Sequence, residues 1–188
     1  MNSIETLNQF LFLRLNARAD TSQYLIIVAI VIADLLIYLI PVLLLAIWVW
    51  GDSVKRSLAI KACLVTLLAM AATQVILQVW QHPRPFMIGL GHTWIPHAAD
   101  SSFPSDHATV FAGIGLTLAL DGARWLGIAT LAAGLAVAWA RIFLGVHFPL
   151  DMLGSLIVAA GSYLAVSPAW RRAGPTVTDL AQRIYRMG

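Results

Sequence analysis

Charged side chains are scarce in this sequence: Asp, Glu, Lys and Arg make up 11% of its 188 residues, whereas 60% are hydrophobic. The mean hydropathy is +0.80. So little charge cannot cover the surface of a water-soluble globule, and the apolar content exceeds what one core needs. The composition therefore excludes an ordinary soluble domain and indicates an integral membrane protein.

Cysteine is almost absent, since Cys63 is the only one and lies in an apolar run. A single cysteine excludes a disulfide framework and favours a small buried side chain. The net charge is only +3, and the basic residues are scattered over several loops. This distribution excludes a nucleic-acid partner, which needs a concentrated basic surface. The apolar run at residues 10–13 is short and has no basic region before it, so we expect no cleavable signal peptide.

Long apolar stretches without period-two alternation predict helices that cross the membrane. We expect an all-α integral membrane protein, a bundle of about five transmembrane helices. The first stretch exceeds the roughly 20 residues that a crossing needs, so it should tilt or kink, most readily at Pro41. The predicted spans are residues 24–50, 62–80, 105–120, 125–140 and 149–166.

The two ends of the chain differ from the transmembrane core at residues 24–166. Residues 1–20 place apolar side chains at helical spacing with polar ones between, which predicts an amphipathic helix at the membrane interface. Docking against a neighbouring subunit is an alternative for this helix. Residues 167–188 are predicted to be a cytoplasmic tail. Because neither a repeat nor a linker interrupts the sequence, residues 1–188 are interpreted as one membrane-embedded domain.

Basic residues and histidines segregate to opposite sides when the five spans alternate in direction. The basic residues on the side of the C-terminal tail are Lys55, Arg56, Lys61, Arg124, Arg171, Arg172, Arg183 and Arg186. Their excess predicts that this side faces the cytoplasm. The histidines on the outer side are His82, His92, His97, His107 and His147. This segregation predicts one shared site at the outer face.

The most concentrated polar segment runs from Arg141 to Asp151. His147 and Asp151 stand four residues apart, so a helix that begins near Pro149 brings them onto one face. The carboxylate is then expected to accept the imidazole Nδ1 proton and to leave Nε2 free as a nucleophile. Arg141 adds a planar fork of donors that suits phosphate.

Two further motifs lie on the same side: His-Pro-Arg-Pro at residues 82–85 and Pro-Ser-Asp-His at residues 104–107. With the segment at residues 141–151, they resemble the three-part signature of the type 2 phosphatidic acid phosphatase superfamily. That signature is a lysine followed after six residues by Arg-Pro, then Pro-Ser-Gly-His, then Ser-Arg followed after five residues by His and after three more by Asp. The resemblance covers residues 76–151 and is strongest to the branch that acts on undecaprenyl diphosphate and confers bacitracin resistance.

Three positions depart from the signature. Leu77 stands at the lysine position, Asp106 replaces the glycine, and Ala140 replaces the serine. Gln78 or His82 is expected to substitute in part for the lysine as an auxiliary phosphate contact. A carboxylate at Asp106 favours a helix N-terminus but repels a phosphate unless it turns away or pairs with an arginine, so its part in catalysis stays open.

The resemblance implies a phosphate site, which the residue chemistry supports. Arg84 and Arg141 are expected to neutralise the equatorial oxygens of a phosphoryl group. The Ser105 hydroxyl and the backbone amides at the helix start add neutral donors. No cofactor is implied, because the outer side offers too few free carboxylates for magnesium. A zinc ion held by histidines stays open as an alternative.

The same residues predict a two-step reaction. His147 attacks phosphorus and forms a phosphohistidine, while His107 protonates the leaving oxygen and then activates water. Asp151 holds His147 in the required tautomer and stabilises its positive charge.

The predicted function is that of a lipid phosphatase in the bacterial cytoplasmic membrane, with its site facing the periplasm or the outside. The predicted partners are an isoprenoid diphosphate lipid, undecaprenyl diphosphate, and the membrane lipids. Another lipid substrate, such as phosphatidylglycerol phosphate or phosphatidic acid, is an alternative. So is transfer of the phosphoryl group to an acceptor lipid such as lipid A. The sequence does not define an oligomeric state.

A small transporter is the alternative from another functional class. Asp34 in the first span motivates it, because intramembrane carboxylates are often functional. A predicted polar face on the second span also motivates the transporter alternative. On this face Gln74, Gln78 and His82 recur every four residues. The paired imidazoles with a dedicated carboxylate favour catalysis over transport. A purely structural use of these polar groups as headgroup anchors is the remaining interpretation.

Overall fold

Seven α-helices and two short 3-10 helices form the protein in the computed structural model, which describes residues 3–187. The helices are α1 (Ser3–Leu15), α2 (Gln23–Leu35), α3 (Leu39–Trp50), α4 (Ser53–Val79), α5 (Asp106–Leu120), α6 (Arg124–Phe143) and α7 (Pro149–Met187). The described residues contain no β-strand. The prediction of an all-α membrane bundle is confirmed.

The bundle is organised around α5. Four stretches within residues 3–187 are long and apolar enough to cross a membrane: α2 continued by α3, then α4, α6 and α7. Helix α5 is apolar but has only 15 residues, which rise about 22 Å. It packs between α4, α6 and α7, so its sides are covered by protein and its first turn is held at a fixed position among them.

The first span is interrupted before its predicted kink. A 3-10 turn at Leu36–Tyr38 joins α2 to α3, and Pro41 lies in the first turn of α3. Proline has no N–H to donate to the carbonyl four residues earlier, here that of Ile37. The irregular turn therefore lies just ahead of Pro41 rather than at it.

The last helix continues beyond the predicted end of the last span. Helix α7 continues through Pro168 and Pro175 to Met187, whereas the sequence predicts that the span ends at residue 166. Tertiary contacts hold the extension against the rest of the bundle: Gln182 donates to the hydroxyl of Ser53 at 2.9 Å. Residues 167–186 are thus helical, because packing outweighs the local cost of the two prolines.

Helix α1 is docked on the bundle by its inward face. Phe12 is buried, and its ring lies 5.3 Å from that of Phe148. The side chain of Asn8 is also buried and accepts the backbone N–H of Leu150 at 3.1 Å. The predicted amphipathic helix is present, but polar Asn8 faces the protein rather than the surroundings. The apolar residues on its other side, such as Leu7, are exposed.

Candidate active site

The three sequence motifs meet at one end of the bundle. Arg84 lies in the loop after α4, His107 in the first turn of α5, and Arg141 in the last turn of α6. His147 lies in the short turn before α7, and Asp151 lies in the first turn of that helix. The arginines, His147 and Asp151 are all buried. Residues far apart in sequence therefore form one compact polar site.

Asp151 orients His147. The Nδ1 atom of the imidazole lies 3.1 Å from the carboxylate Oδ2 atom. The same oxygen accepts the backbone N–H of Phe148 at 2.7 Å and the hydroxyl of Ser102 at 3.0 Å. Three donors thus converge on one oxygen and fix the carboxylate. The arrangement places His147 and Asp151 on one face, as their four-residue spacing predicts.

Arg84 contacts the other nitrogen of the His147 ring. Its Nη1 atom lies 3.1 Å from Nε2 of His147 and donates to the carbonyl of Val146 at 2.9 Å. Its Nε donates to Asp100 at 2.8 Å, and its Nη2 donates to the carbonyl of Ser101 at 3.2 Å. A guanidinium has donors and no acceptor. The Nε2 atom of His147 is therefore unprotonated in this contact.

The electrostatic environment keeps His147 neutral. Burial first, and then the positive charges of Arg84 and Arg141, lower the pKa of His147 well below its ordinary value of 6.5. The single ring proton then lies on Nδ1, where Asp151 accepts it. A neutral imidazole with a bare, oriented Nε2 is the form that a nucleophile needs.

Arg141 brings two further imidazoles to the site. Its Nη2 atom lies 3.2 Å from Nε2 of His97, and its Nη1 atom lies 3.5 Å from Nε2 of His107. Nη1 also faces the carboxylate of Asp34 at 4.0 Å. Burial, followed by the charge of Arg84, lowers the pKa of His97. The Nε of Arg141 is buried and has no hydrogen-bond partner within residues 3–187, so the guanidinium keeps a donor in reserve.

Ser105 and Asp106 begin α5. Ser105 is the N-cap residue, but its side chain does not cap the helix, and its buried hydroxyl has no partner in the described part of the chain. Together with the amides of the first turn, this hydroxyl suits an anion. Asp106 turns toward α4 and accepts the side-chain amide of Gln74 at 3.2 Å. Of the options that the sequence left open for Asp106, this contact corresponds to a side chain turned away.

The structure does not support His82 as an auxiliary phosphate contact. Both of its ring nitrogens are engaged, with Ser102 at 3.2 Å and with Glu5 at 3.2 Å. Helix α4 ends before His82, so the four-residue periodicity applies only to Gln74 and Gln78. These two glutamines line a cavity of about 590 Å³ that the His82 ring borders. Gln78 therefore lies beside a cavity, and its auxiliary phosphate contact stays a prediction.

The sequence assigns no catalytic or phosphate-binding role to four residues of the site: His97, Asp100, Ser102 and Asp34. It places only His97 among the histidines that are predicted to share a site. The first three belong to the polar loop between α4 and α5, whose composition was the available signal. The sequence marks Asp34 as an intramembrane carboxylate, but no pattern in it links Asp34 to Arg141. Such contacts depend on how α2 packs beside α6, which local sequence does not encode.

The site supplies positive charge through arginines and a helix start. Within residues 3–187, no group of three or more His, Cys, Asp or Glu side chains is arranged to hold a metal ion. The chemistry that this geometry suits is attack by an imidazole on a phosphorus atom whose oxygens are neutralised by guanidinium groups.

Comparisons with known proteins identify the family of this chain. Residues 58–174 match the sequence profile of the PAP2 superfamily. Over 184 residues the chain is 35% identical to YbjG of Escherichia coli strain K12, covering 98% of this chain and 93% of YbjG. Over 153 residues it is 33% identical to BcrC of Bacillus subtilis strain 168, an undecaprenyl-diphosphatase, covering 81% of this chain and 79% of BcrC. The solved structure of Aquifex aeolicus LpxE has a TM-score of 0.70 at 20% identity, covering 85% of this chain and 93% of LpxE. The chain therefore belongs to the PAP2 superfamily and is a multi-pass membrane lipid phosphatase.

Proposed function

We propose that this protein hydrolyses undecaprenyl diphosphate to undecaprenyl phosphate and inorganic phosphate. The observation that carries the proposal is the bare Nε2 atom of His147, oriented by Asp151 and lying 3.1 Å from Arg84. The similarity to BcrC, an undecaprenyl-diphosphatase, supports this choice of substrate.

The proposed first step forms a phosphohistidine. The Nε2 atom of His147 attacks the terminal phosphorus, and the bond from phosphorus to the bridging oxygen breaks. Undecaprenyl phosphate leaves with a proton from His107, which enters this step protonated. The Arg84 donor that contacts Nε2 in the resting site moves to a phosphate oxygen, and Arg141 neutralises a second oxygen. Asp151 stabilises the positive charge that develops on His147.

The second step frees the imidazole of His147 and restores the proton of His107. His107, which has given up its proton, takes one from a water molecule as that water attacks the phosphohistidine. The bond between phosphorus and Nε2 breaks, and inorganic phosphate leaves. The contact between Arg141 and Nε2 of His107 suits the unprotonated imidazole, which is the form that accepts a proton in this second step.

We place the site at the outer face of the cytoplasmic membrane. Lys61 of α4 pairs with Asp121, which follows α5, at the end of the bundle opposite His147. Arg124 begins α6 at that same end, and the basic residues of the α7 extension follow. An excess of basic residues marks the cytoplasmic side.

Phosphate release from pure lipids tests the substrate. The purified protein in nanodiscs is expected to release phosphate from undecaprenyl diphosphate faster than from phosphatidylglycerol phosphate or phosphatidic acid. The His147→Gln variant should be inactive, whereas His92→Gln, which alters an exposed histidine of the same side, should match the wild type. Faster release from either other lipid would reassign the substrate.

Two further measurements test the mechanism and the orientation. Acid quenching during turnover should trap a phosphoryl group that peptide mapping places on His147, and added lipid A should receive none of it. In a Cys63→Ser background, a membrane-impermeant maleimide applied to intact cells should label His92→Cys and leave Arg172→Cys unlabelled. The reverse labelling pattern would place the site in the cytoplasm.

A further inference from the structure

A chain of hydrogen bonds runs from α1 to the catalytic pair. Glu5 contacts Nε2 of His82 at 3.2 Å, and Nδ1 of His82 contacts the hydroxyl of Ser102 at 3.2 Å. That hydroxyl donates to Asp151 at 3.0 Å, and Asp151 contacts His147 at 3.1 Å. These hydrogen bonds therefore connect Glu5, which lies outside the segment 58–174 that matches the family, to the proposed nucleophile His147.

The direction of each bond can be assigned by counting donors. Ser102 has one O–H, which it gives to Asp151, so its oxygen accepts a proton from Nδ1 of His82. The carboxylate of Glu5 only accepts when ionised, so Nε2 of His82 donates to it. Both ring nitrogens of His82 are then donors. The ring is a cation between the carboxylates of Glu5 and Asp151.

Asp151 needs this support because it is fully buried. Its relative exposure is 0%, and its Oδ1 atom has no hydrogen-bond partner in the described part of the chain. A buried carboxylate stays ionised only where donors and positive charges compensate for the lost water. Ser102 supplies one of the three donors on Oδ2. His82 contacts Ser102 and places its positive charge near Asp151.

Helix α1 is held firmly enough to position Glu5. Gln9 donates to the other carboxylate oxygen of Glu5 at 3.1 Å. The His82 ring packs edge-on against Phe148 at 5.5 Å between centroids, and Phe148 also contacts Phe12 of α1. Both the charge and the ring of His82 are thus fixed between α1 and the turn that carries the nucleophile.

We propose that Glu5, His82 and Ser102 are positioning residues that keep Asp151 ionised and oriented toward His147. This makes α1 a working part of the active site rather than only an interfacial helix. The proposal rests on the proposed function of His147 and Asp151. It assigns His82 a role behind the catalytic pair instead of the phosphate contact that the sequence suggested.

The test compares His82→Gln and Ser102→Ala with the control His92→Gln. We expect kcat to fall by about 10- to 100-fold in the first two variants, as for other residues that orient catalytic groups. KM should stay within about twofold, since Arg84 and Arg141 are unchanged and supply the binding contacts. The double variant should lose little more than either single one, because both act through one chain. The control should match the wild type.

Glu5→Gln keeps the test independent of folding defects. This exchange is isosteric, at a side chain that is 30% exposed, and it removes charge while keeping an oxygen for His82. It should lower kcat by about three- to tenfold and slow phosphohistidine formation, which follows from weakening one charge-assisted hydrogen bond. All rates are taken per folded protein from the same thermal unfolding assay.

The two proposals fail in different ways. If the wild type is active but Glu5→Gln, His82→Gln and Ser102→Ala all keep the wild-type kcat per folded molecule, the positioning role is overturned. If the wild type releases no phosphate from undecaprenyl diphosphate, the substrate proposal fails instead. The variants are then compared on phosphatidylglycerol phosphate or phosphatidic acid, whichever the wild type hydrolyses, with the same criteria.

Discussion

The Nε2 atom of His147 lies 3.1 Å from the Nη1 atom of Arg84. Because a guanidinium only donates, this contact fixes the ring proton on Nδ1 and leaves Nε2 with a lone pair that accepts from Arg84. The site thus holds the proposed nucleophile in the tautomer that the proposed reaction requires. In the proposed mechanism the same Arg84 donor moves to a phosphate oxygen when substrate binds, so one group contacts first the proposed nucleophile and then the substrate.

We expect the His147 ring to remain neutral at pH 6.5, where an ordinary histidine is half protonated. Because the pKa of His147 is lowered, its ring stays neutral at pH values where an ordinary histidine is already protonated. Protonation removes the lone pair of Nε2 only on further acidification. Nitrogen NMR of histidine-labelled protein, with His147→Gln for assignment, should show protonated Nδ1 and bare Nε2 from pH 8 to 6.5. A ring that is half protonated at or above pH 6.5 would contradict this.

Asp34 is expected to weaken product binding. Its half-exposed carboxylate lies 4.0 Å from Arg141 and competes with phosphate for the guanidinium charge. Because water screens the half-exposed carboxylate, the pair is worth at most about 1 kcal/mol, so Asp34→Asn should lower the inhibition constant of inorganic phosphate by about two- to fivefold. Asp52→Asn, at the start of α4 and the far end of the bundle, is the matched control. Unchanged or weaker inhibition in Asp34→Asn would show that the pair does not govern phosphate affinity.

Chelation should leave turnover intact. Arg84, Arg141 and the start of α5 provide the positive charge that a metal ion would otherwise supply. Phosphate release with excess EDTA should equal release without it, and added Mg²⁺ or Zn²⁺ should not raise the rate. Loss of activity in EDTA that one divalent ion restores would require a metal in the mechanism.

The sequence predicts the contact between His147 and Asp151, the proposed catalytic pair, because the two residues are close in sequence. His147 and Asp151 are one helical turn apart, so helix geometry alone brings them together. Two sequence arguments group Arg84, His107 and Arg141. Alternating the predicted spans puts them on the same side of the membrane, and their motifs resemble parts of one signature. The structure then brings these residues into one site at a single end of the bundle.

Other features depend on packing that no local pattern encodes. Glu5 and His82 are 77 residues apart, and their contact requires α1 to dock on the bundle with Asn8 inward. The turn at Leu36–Tyr38 was anticipated within one helical turn, since proline has a local effect. The helical extension of α7 was not, because contacts such as Gln182 with Ser53 outweigh the effect of prolines within it.

Gly145 and Gly89 provide a matched pair that separates backbone strain from crowding. Both have left-handed φ angles, +85° and +68°, so alanine costs about 1–2 kcal/mol of backbone strain at either position. A Cβ atom on Gly89 meets nothing within 4 Å, whereas on Gly145 it lies 2.1 Å from the carbonyl oxygen of His92.

Gly145→Ala should therefore disturb the turn that carries His147, while Gly89→Ala should only lower the stability, by about 1–2 kcal/mol. The backbone of the His92 loop cannot yield as a side-chain tip does, because the N–H of Trp94 donates to the carbonyl of Leu144 at 3.0 Å. We expect phosphate release to fall by about tenfold or more in Gly145→Ala, since a displacement of about 1 Å at a catalytic group has effects of this size. Gly89→Ala should retain the wild-type rate per folded molecule. Equal rates in the two variants would show that the turn tolerates the added atom and that the close approach of the loop does not position His147.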